Sequence, residues 1–402
     1  MTFRRHCRTA SWSYLPGVDM RVLFYSQHVL GIGHFFRSME IARALAPHEV
    51  LFVEGGEPLG DFTPPAHVRR VHLPPVMMDP GFSRFEVGEA DAEQLWRERS
   101  ERLLDLHDSF RPNRIVTELF PFGRRMFRHE LMPLLETARR SNSETAVVCS
   151  LRDILVEKSD VRKYETRVLD ILNAYYDLLL IHADPRVIDL KETFSMTGEI
   201  SIPMVYTGFV SRPAPGREKR RDRRVIVAST GGGRVGADLL QGVLKGFRRL
   251  RRSDLELRIF LGPFMEEMER STIAELASKD QRVSLRPFAG DFVAELARAD
   301  LSISMAGYNT CMDILASRIP ALVYPFPQNR EQLMRARRLE ELGLLRVLNS
   351  VSEAELSQSM DALLAHPDVP GPHTPDLDGA AKTARLLTTF QPALKTAGHD
   401  EP

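Results

Sequence analysis

Short apolar runs, each closed by a polar or glycine-bearing cluster and followed by a helical stripe, recur along most of the chain. Val22 to Ser26 predicts a buried strand, Gln27 to Gly33 a loop, and His34 to Leu45 a helix with Met39, Ile41, Ala42 and Leu45 inward. Val50 to Val53 is the next strand, ending at Glu54-Gly55-Gly56. Leu95 to Phe110 carries its apolar residues on one stripe, as an amphipathic helix does. Three further strands, Arg114 to Glu118, Ala146 to Ser150 and Leu178 to His182, each stop at a polar cluster (ELFPFGRRMF, SLRDIL and HADP). Val205 to Val210 is a short strand.

A proline-rich and then basic stretch, Ser211 to Arg224, reads as a solvated linker. Beyond it the pattern restarts. Val225 to Ala228 is a strand, Ser229-Thr230-Gly231-Gly232-Gly233 its loop, and Val235 to Leu250 a helix. Val283 to Arg286 leads through Pro287 to Phe292 into another helix. Leu301 to Met305 is a strand, Ala306-Gly307 a turn, and Asp313 lies about one turn into the helix that follows. Ala321 to Tyr324 is closed by Pro325 and Pro327, and Glu331 and Gln332 head the next helix. Ser352 to Gln391 holds a helix, a proline-rich linker and a helix over Gly379 to Thr389.

Alternation of this kind predicts an α/β protein with doubly wound parallel sheets. At 402 residues the chain has length for two or three domains. The expected divisions are a tail over 1–19, a first domain over 20–210, a linker over 211–224, a second domain over 225–375 and a terminal helix over 376–391. Met20, directly before the first strand, is a plausible natural start, and the chain after Pro392 is expected to be disordered.

Charge removes some partners. Lys and Arg number 54 and Asp and Glu 54, so no global field recruits nucleic acid or an anionic membrane. The three cysteines, Cys7, Cys149 and Cys311, form no metal spacing and suit a reducing cytoplasm. No run approaches the ~18 apolar residues of a spanning helix, and the basic first twenty residues lack the apolar core of a secretory signal.

Chemistry concentrates where strands meet loops. In an open α/β sheet, ligands bind beyond the carboxyl ends of the strands. Three glycines in the 229–233 loop let backbone approach a diphosphate, with hydroxyls from Ser229 or Thr230 and a cation from Arg234. No Gly-Lys-Ser/Thr follows, so this is not a Walker loop. Asp313 and Gln332 are residue types that hold sugar hydroxyls, which reads as a nucleotide site with a ribose hook. Asn309 and Thr310 can cap or line the helix before Asp313, and Glu331 can be a first-turn dipole partner. On its own residues, His34 is open between a helix-terminal histidine and a site residue.

The segment AD…AGYNTCMD, RIPALVYPFP, REQ and LEELG resembles the C-terminal signature of GT-B glycosyltransferases of family 28. That group contains the peptidoglycan N-acetylglucosaminyltransferase and the diacylglycerol galactosyltransferases. The resemblance spans about Arg21 to Val347 and is weak between about 60 and 200. It implies the GT-B fold: two Rossmann-like domains facing across a cleft, with the last helix crossing back onto the first. It implies a UDP-sugar donor in the second domain. There Gly231, Gly232, Gly233 and Gly307 lie at the diphosphate, Asn309 and Thr310 beside it, and Phe288, Ala289 and Phe292 at the base. Asp313 takes the ribose, where the family usually has Glu, and Gln332, with Glu331, reads the sugar.

The same resemblance places Gly31, Gly33 and His34 at the cleft and makes the rim with Glu118, Arg124, Arg152 and Asp153 the acceptor side. Read alone, Glu118 is equally a cap, Arg124 with Arg125 a solvated pair, and Arg152 and Asp153 partners of each other. The HEQN-like tetrapeptide of the peptidoglycan enzyme is missing, which argues against its lipid as acceptor.

The expected reaction is metal-independent, inverting sugar transfer with no cofactor, and His34 as base or phosphate contact. Rivals on the same architecture are a UDP-sugar 2-epimerase or nucleotide-sugar hydrolase, and a non-catalytic nucleotide-sugar-binding regulator. Pro74 to Phe85 and Gly123 to Arg128 can form an apolar and basic patch. Work in the cytoplasm and work at the inner face of a membrane therefore both stay open. The acceptor (lipid, saccharide or metabolite) and the oligomeric state are not legible.

Overall fold

The computed structural model describes residues 20–27, 33–56, 62–76, 89–141, 145–156, 158–216, 223–287, 290–366 and 374–392. Gly31, Phe288, Ala289, Met77, Met78 and both chain ends lie outside the described residues. The first half runs β1 (Arg21–Tyr25), α1 (Gly33–Ala44), β2 (Glu49–Glu54), β3 (Val68–His72), α2 (Glu89–Phe110), β4 (Arg114–Glu118) and α3 (Arg128–Ser141). It ends with β5 (Ala146–Arg152), α4 (Val161–Tyr175), β6 (Leu178–His182) and β7 (Met204–Tyr206). The second half runs β8 (Arg224–Ser229), α5 (Ala237–Arg249), β9 (Leu255–Phe260), α6 (Glu267–Ser278), β10 (Val283–Arg286), α7 (Phe292–Ala297) and β11 (Leu301–Met305). It ends with α8 (Tyr308–Ser317), β12 (Ala321–Tyr324), α9 (Arg330–Glu341), β13 (Arg346–Val347), α10 (Glu353–Ala365) and α11 (Gly379–Thr389).

Every described strand pair is parallel. One sheet has the order β3-β2-β1-β4-β5-β6-β7, the other β10-β9-β8-β11-β12-β13. Strands buried on both faces need no polar alternation, which is why RVLFY and LLLIH are almost wholly apolar. Val22 and Phe24 face the cluster under α1 and α11, while Leu23 and Tyr25 face the one under α2 and α3. The latter cluster continues through Phe209 and Tyr308 into the second domain, so apolar packing crosses between the domains.

Strand order reverses at β1/β4 and at β8/β11, and register levels the strand ends there: Tyr25 pairs with Thr117, and Ser304 with Ser229. Each reversal opens a crevice between diverging loops, where such sheets bind ligands. Helix α11 lies against α1. Arg114 Nε donates to the Leu387 carbonyl at 2.8 Å and its Nη2 to Phe390 at 2.7 Å, and Val210 bridges Asp378.

Several boundaries differ from the sequence expectation. The strand expected over 205–210 is only Met204–Tyr206, because Gly208 turns at φ +84°, with Asp376 packed where a Cβ would stand. The helix expected from Val235 starts at Ala237, because the loop continues through left-handed Gly231, Gly233 and Gly236. The linker gives way to β8 at Arg224. Strand β3, with mixed burial and three basic residues in five, and helices α3 and α4 were not anticipated.

Arg114→Ala removes both charged hydrogen bonds to the carbonyl end of α11, each worth about 1.5–3 kcal/mol. It should lower the unfolding midpoint and expose the chain around 374–392 to protease. Unchanged proteolysis in limited digests would show that α11 is held by its apolar face alone.

Candidate active site

The first crevice sits between the start of α1 and the end of β4. His34, in the first turn of α1, places Nδ1 2.7 Å from Glu118 Oε1, and Arg37, one turn on, donates from Nη2 to the same oxygen. Glu118 is buried. Burial pushes its carboxyl up, but His34, Arg37 and Arg124 reverse that and hold it well below the usual carboxylate range. An ionised Glu118 only accepts, so Nδ1 of His34 is the protonated nitrogen and Nε2 keeps the lone pair. The 3.2 Å approach of Arg37 Nη2 to Nδ1 is then a contact between two donors that share Glu118. Burial drives the His34 imidazole down to about 3, against the pull of Glu118 and with Arg124 and Arg37 lowering it further. His34 is neutral in ordinary buffers, and its side chain is 20% exposed.

Acceptor-side residues divide. Arg152 pairs with Glu331 on α9, and Asp153 takes Arg335 in a fork, Nε to Oδ2 at 2.6 Å and Nη2 to Oδ1 at 2.9 Å. The adjacent Arg152 and Asp153 therefore do not pair with each other; each reaches across to the other domain. Asp153 is 0% exposed, so it is a brace and not a surface for an acceptor. Arg124 ends the β4 loop in a left-handed conformation (φ 57°). Gly33 offers its carbonyl to Asn309 Nδ2 at 3.0 Å, which joins the two crevices directly.

The second crevice is built from backbone. Gly307 caps α8 with no side-chain hydrogen bond, and Asn309 and Thr310 lie inside the first turn, lining the helix start without capping it. The first N–H groups of α8 therefore lack a capping partner, an arrangement that favours anions. Gly231 (φ +66°) and Gly307 both look onto Thr310 Oγ1, at 4.0 and 3.9 Å from where a Cβ would stand. Thr230 Oγ1 is buried without a hydrogen-bond partner. Ser229 Oγ accepts from the Gly231 N–H at 3.1 Å and shapes the loop. A Cβ on Gly233 (φ +86°) would lie 2.8 Å from Gly262 Cα, and one on Gly262 would strike Gly232. Two glycine loops thus stack backbone on backbone. Arg234 is exposed and lies over the Phe264 ring, 5.4 Å from its centroid.

Other donor-side residues carry duties the sequence did not suggest. Asp313 is buried, and Arg212 of the linker holds both its oxygens while donating to the Gly290 carbonyl at 2.6 Å. Burial raises the Asp313 carboxyl and Arg212 partly offsets this. A carboxylate has about four lone-pair sites, so two are left uncommitted beside Arg212. Gln332 spends its Oε1 on the Phe326 N–H at 3.0 Å and its own N–H on the Asn329 cap, leaving Nε2 for a ligand. Glu331, expected beside the sugar, is instead the partner of Arg152. Phe292, expected at the base, packs edge-on against Phe260, centroids 5.4 Å apart, and is core.

Residues the sequence reading missed hold the halves together. Tyr308 donates to the His182 carbonyl at 3.1 Å and accepts from the Val210 N–H at 2.9 Å. Arg37 and Arg335, one from each domain, lie over its ring at 5.1 and 5.4 Å. His182 is buried between Ser150 Oγ (2.7 Å) and Thr207 Oγ1 (2.9 Å), and burial takes it down to about 3. Local signals existed only for Arg37, three residues after His34, and Arg335, four after Glu331; both spacings share a helix face. Among the described residues no group of three metal-ligating side chains occurs, and no helix is long and apolar enough to cross a membrane.

Two doubly wound parallel sheets, their carboxyl-end crevices opposed and linked by a returning terminal helix, define the GT-B class. Residues 226–384 match the family model for the glycosyltransferase family 28 C-terminal domain. The second domain thus carries the family 28 C-terminal likeness, and the chain as a whole has the GT-B fold.

It resembles the UDP-N-acetylglucosamine–N-acetylmuramyl-(pentapeptide) pyrophosphoryl-undecaprenol N-acetylglucosamine transferase of Pseudomonas paraeruginosa. The two are 28% identical over 175 residues, 41% of this chain and 47% of that protein. The chain spans less than half the length of the curated relatives it matches. Among solved structures it is similar to the S. aureus MnaA–UDP complex (TM-score 0.59, 11% identity, 92% of this chain and 95% of that one). It is also similar to Acinetobacter baumannii MurG (TM-score 0.54, 15% identity, 93% and 96%). At these identities the structures speak for the fold.

Asp153→Ala leaves Arg335 buried and unpaired and should cost about 3–5 kcal/mol, while Asp153→Leu with Arg335→Met should recover most of it; denaturant midpoints compare them. His34 and His182 have lowered folded pKa values, so the folded state binds fewer protons than the unfolded one. Their contribution is present above the unfolded value of 6.5 and is lost as pH falls from there toward 3. Melting temperature should therefore drop between pH 7 and 4.5, and drop less steeply in His34→Gln.

Proposed function

We propose that this protein transfers a sugar from a nucleoside-diphosphate-sugar, UDP-linked, to an acceptor hydroxyl, with inversion and without a metal. The observation that carries this is the opposition of two unlike crevices, joined by Asn309 and Gly33. One is a backbone cradle with an uncapped helix N-terminus. The other is a neutral histidine backed by a buried carboxylate. The UDP in the printed name of the Pseudomonas relative supports the choice of nucleotide.

Each part has a role in a single displacement. The diphosphate lies against Gly231, Thr230 and the N–H groups of Tyr308, Asn309 and Thr310, with the ribose on Asp313 and a sugar hydroxyl on Gln332 Nε2. The acceptor oxygen attacks the anomeric carbon from the first-domain side as the bond to the β-phosphate oxygen breaks. The leaving electron pair goes to the diphosphate, where fixed dipoles stabilise it. The acceptor proton passes to His34 Nε2, and Glu118 steadies the imidazolium through Nδ1. Attack opposite the leaving group inverts the anomeric centre.

A thermal-shift panel of UDP, GDP, TDP and ADP, with and without EDTA, tests the donor half. UDP alone should stabilise the wild type, equally in EDTA, and at least tenfold more UDP should be needed in Asp313→Asn. Stabilisation that vanishes with EDTA would remove the metal-free reading. No shift with any nucleotide would reduce the claim to one of fold. His34→Gln should lose about 10²–10⁴-fold in transfer while UDP affinity stays within twofold. Product analysis separates transfer from an epimerised sugar or an unchanged donor.

A further inference from the structure

Three buried polar atoms on the first-domain side of the cleft have no hydrogen-bond partner: Arg124 Nε, Arg152 Nε and Glu118 Oε2. Two are donors that need an acceptor, and the third is an acceptor that needs a donor. Ion pairs account for the surrounding charges. Arg37 pairs with Glu118, Arg152 with Glu331 and Arg335 with Asp153. Arg124 is the fourth guanidinium of this group, and among the described residues no fourth carboxylate pairs with it. Glu118, the carboxylate that acts most strongly on Arg124, is already shared by His34 and Arg37.

The loop that carries Arg124 is strained. Leu119 (φ 67°) and Arg124 (φ 57°) are both left-handed without being glycine, at about 1–3 kcal/mol each. Gly123 lies so close on Leu119 that a Cβ there would stand 2.7 Å from Leu119 Cδ2. Strain of this size, spent to hold a guanidinium among other guanidiniums, destabilises the free protein twice over. An anion in the cleft offsets the charge, and the strained loop holds Arg124 ready for it.

We propose that the acceptor site takes a molecule bearing an anionic group, a carboxylate or a phosphate, beside the hydroxyl that is glycosylated. Arg124 and Arg152 hold the anion, and Glu118 Oε2 accepts from a neighbouring hydroxyl of the acceptor. The assignment rests on the glycosyltransferase reading and narrows its acceptor class. It also couples binding to chemistry. Among the cations near His34, Arg124 lowers its basicity ahead of Arg37, and neutralising Arg124 strengthens the base as the acceptor arrives.

The test is isothermal titration of inorganic phosphate and, separately, acetate into UDP-saturated protein at constant ionic strength. The proteins are wild type, Arg124→Gln, Arg124→Lys and Arg152→Gln, with circular-dichroism melts confirming folding. Wild type should bind at least one anion, at least tenfold more tightly than Arg124→Gln, with Arg124→Lys between and UDP affinity within twofold. The stronger of the two anions tells phosphate from carboxylate acceptors. The proposal is overturned if neither anion binds the UDP-saturated wild type, or if both Gln variants bind as wild type does. It is also overturned if Arg124→Gln weakens UDP itself tenfold, which would assign Arg124 to the donor diphosphate. Failure of UDP to bind the wild type strikes the glycosyltransferase reading instead, and the same anion contrast is then read without UDP.

Discussion

The structure depends on a set of charges buried where the two domains meet. Arg335 with Asp153, and Arg152 with Glu331, each place one partner on either side. Tyr308 threads from the second domain to the backbone of the first, with a guanidinium from each domain near its ring. Taking such ions out of water costs several kcal/mol apiece, and only close, forked geometry returns it. Apolar packing alone would let the domains slide; paired charges fix one register. That register brings the uncapped start of α8 opposite His34.

Much of the architecture was legible because parallel strands advertise themselves. Leu301 to Met305 and Ala321 to Tyr324 sit where their apolar runs say, and the turn between Met305 and Tyr308 opens a helix as expected. What periodicity could not reveal was pairing across the cleft. Asp153 and Arg335 are 182 residues apart, and nothing local distinguishes either from a solvated surface charge. Arg212 looked like the start of a charged linker, yet it closes on Asp313 because a buried carboxylate needs a cation more than a loop needs water. Phe292 has the spacing of both a base cap and a core residue, and Phe260 decides between them. Strand β3 escaped notice because an edge strand with Arg69, Arg70 and His72 has half the apolar signal of a central one.

The two halves of the site rest on different materials. The second domain presents mainly peptide N–H groups, glycines and the hydroxyls of Ser229, Thr230 and Thr310, and it is there that the family likeness lies. The first domain presents side chains: His34 and Arg37 anchored on Glu118, Arg152 on Glu331 opposite, and Arg124 with no carboxylate of its own among the described residues. Backbone positions are fixed by the fold and tolerate little change, whereas guanidiniums swing on four bonds and are held only by what they pair with.

The stacking of Gly233 on Gly262 has a consequence for how such a protein can change over time. With two loops in backbone contact, a side chain at either position pries them apart, so this wall of the cleft has almost no small-step variants. The opposite wall has many, because replacing one arginine alters charge and reach without moving a strand. Under the proposed function, a change of acceptor would then need only single substitutions on the arginine wall, while the stacked glycine wall has little room to follow.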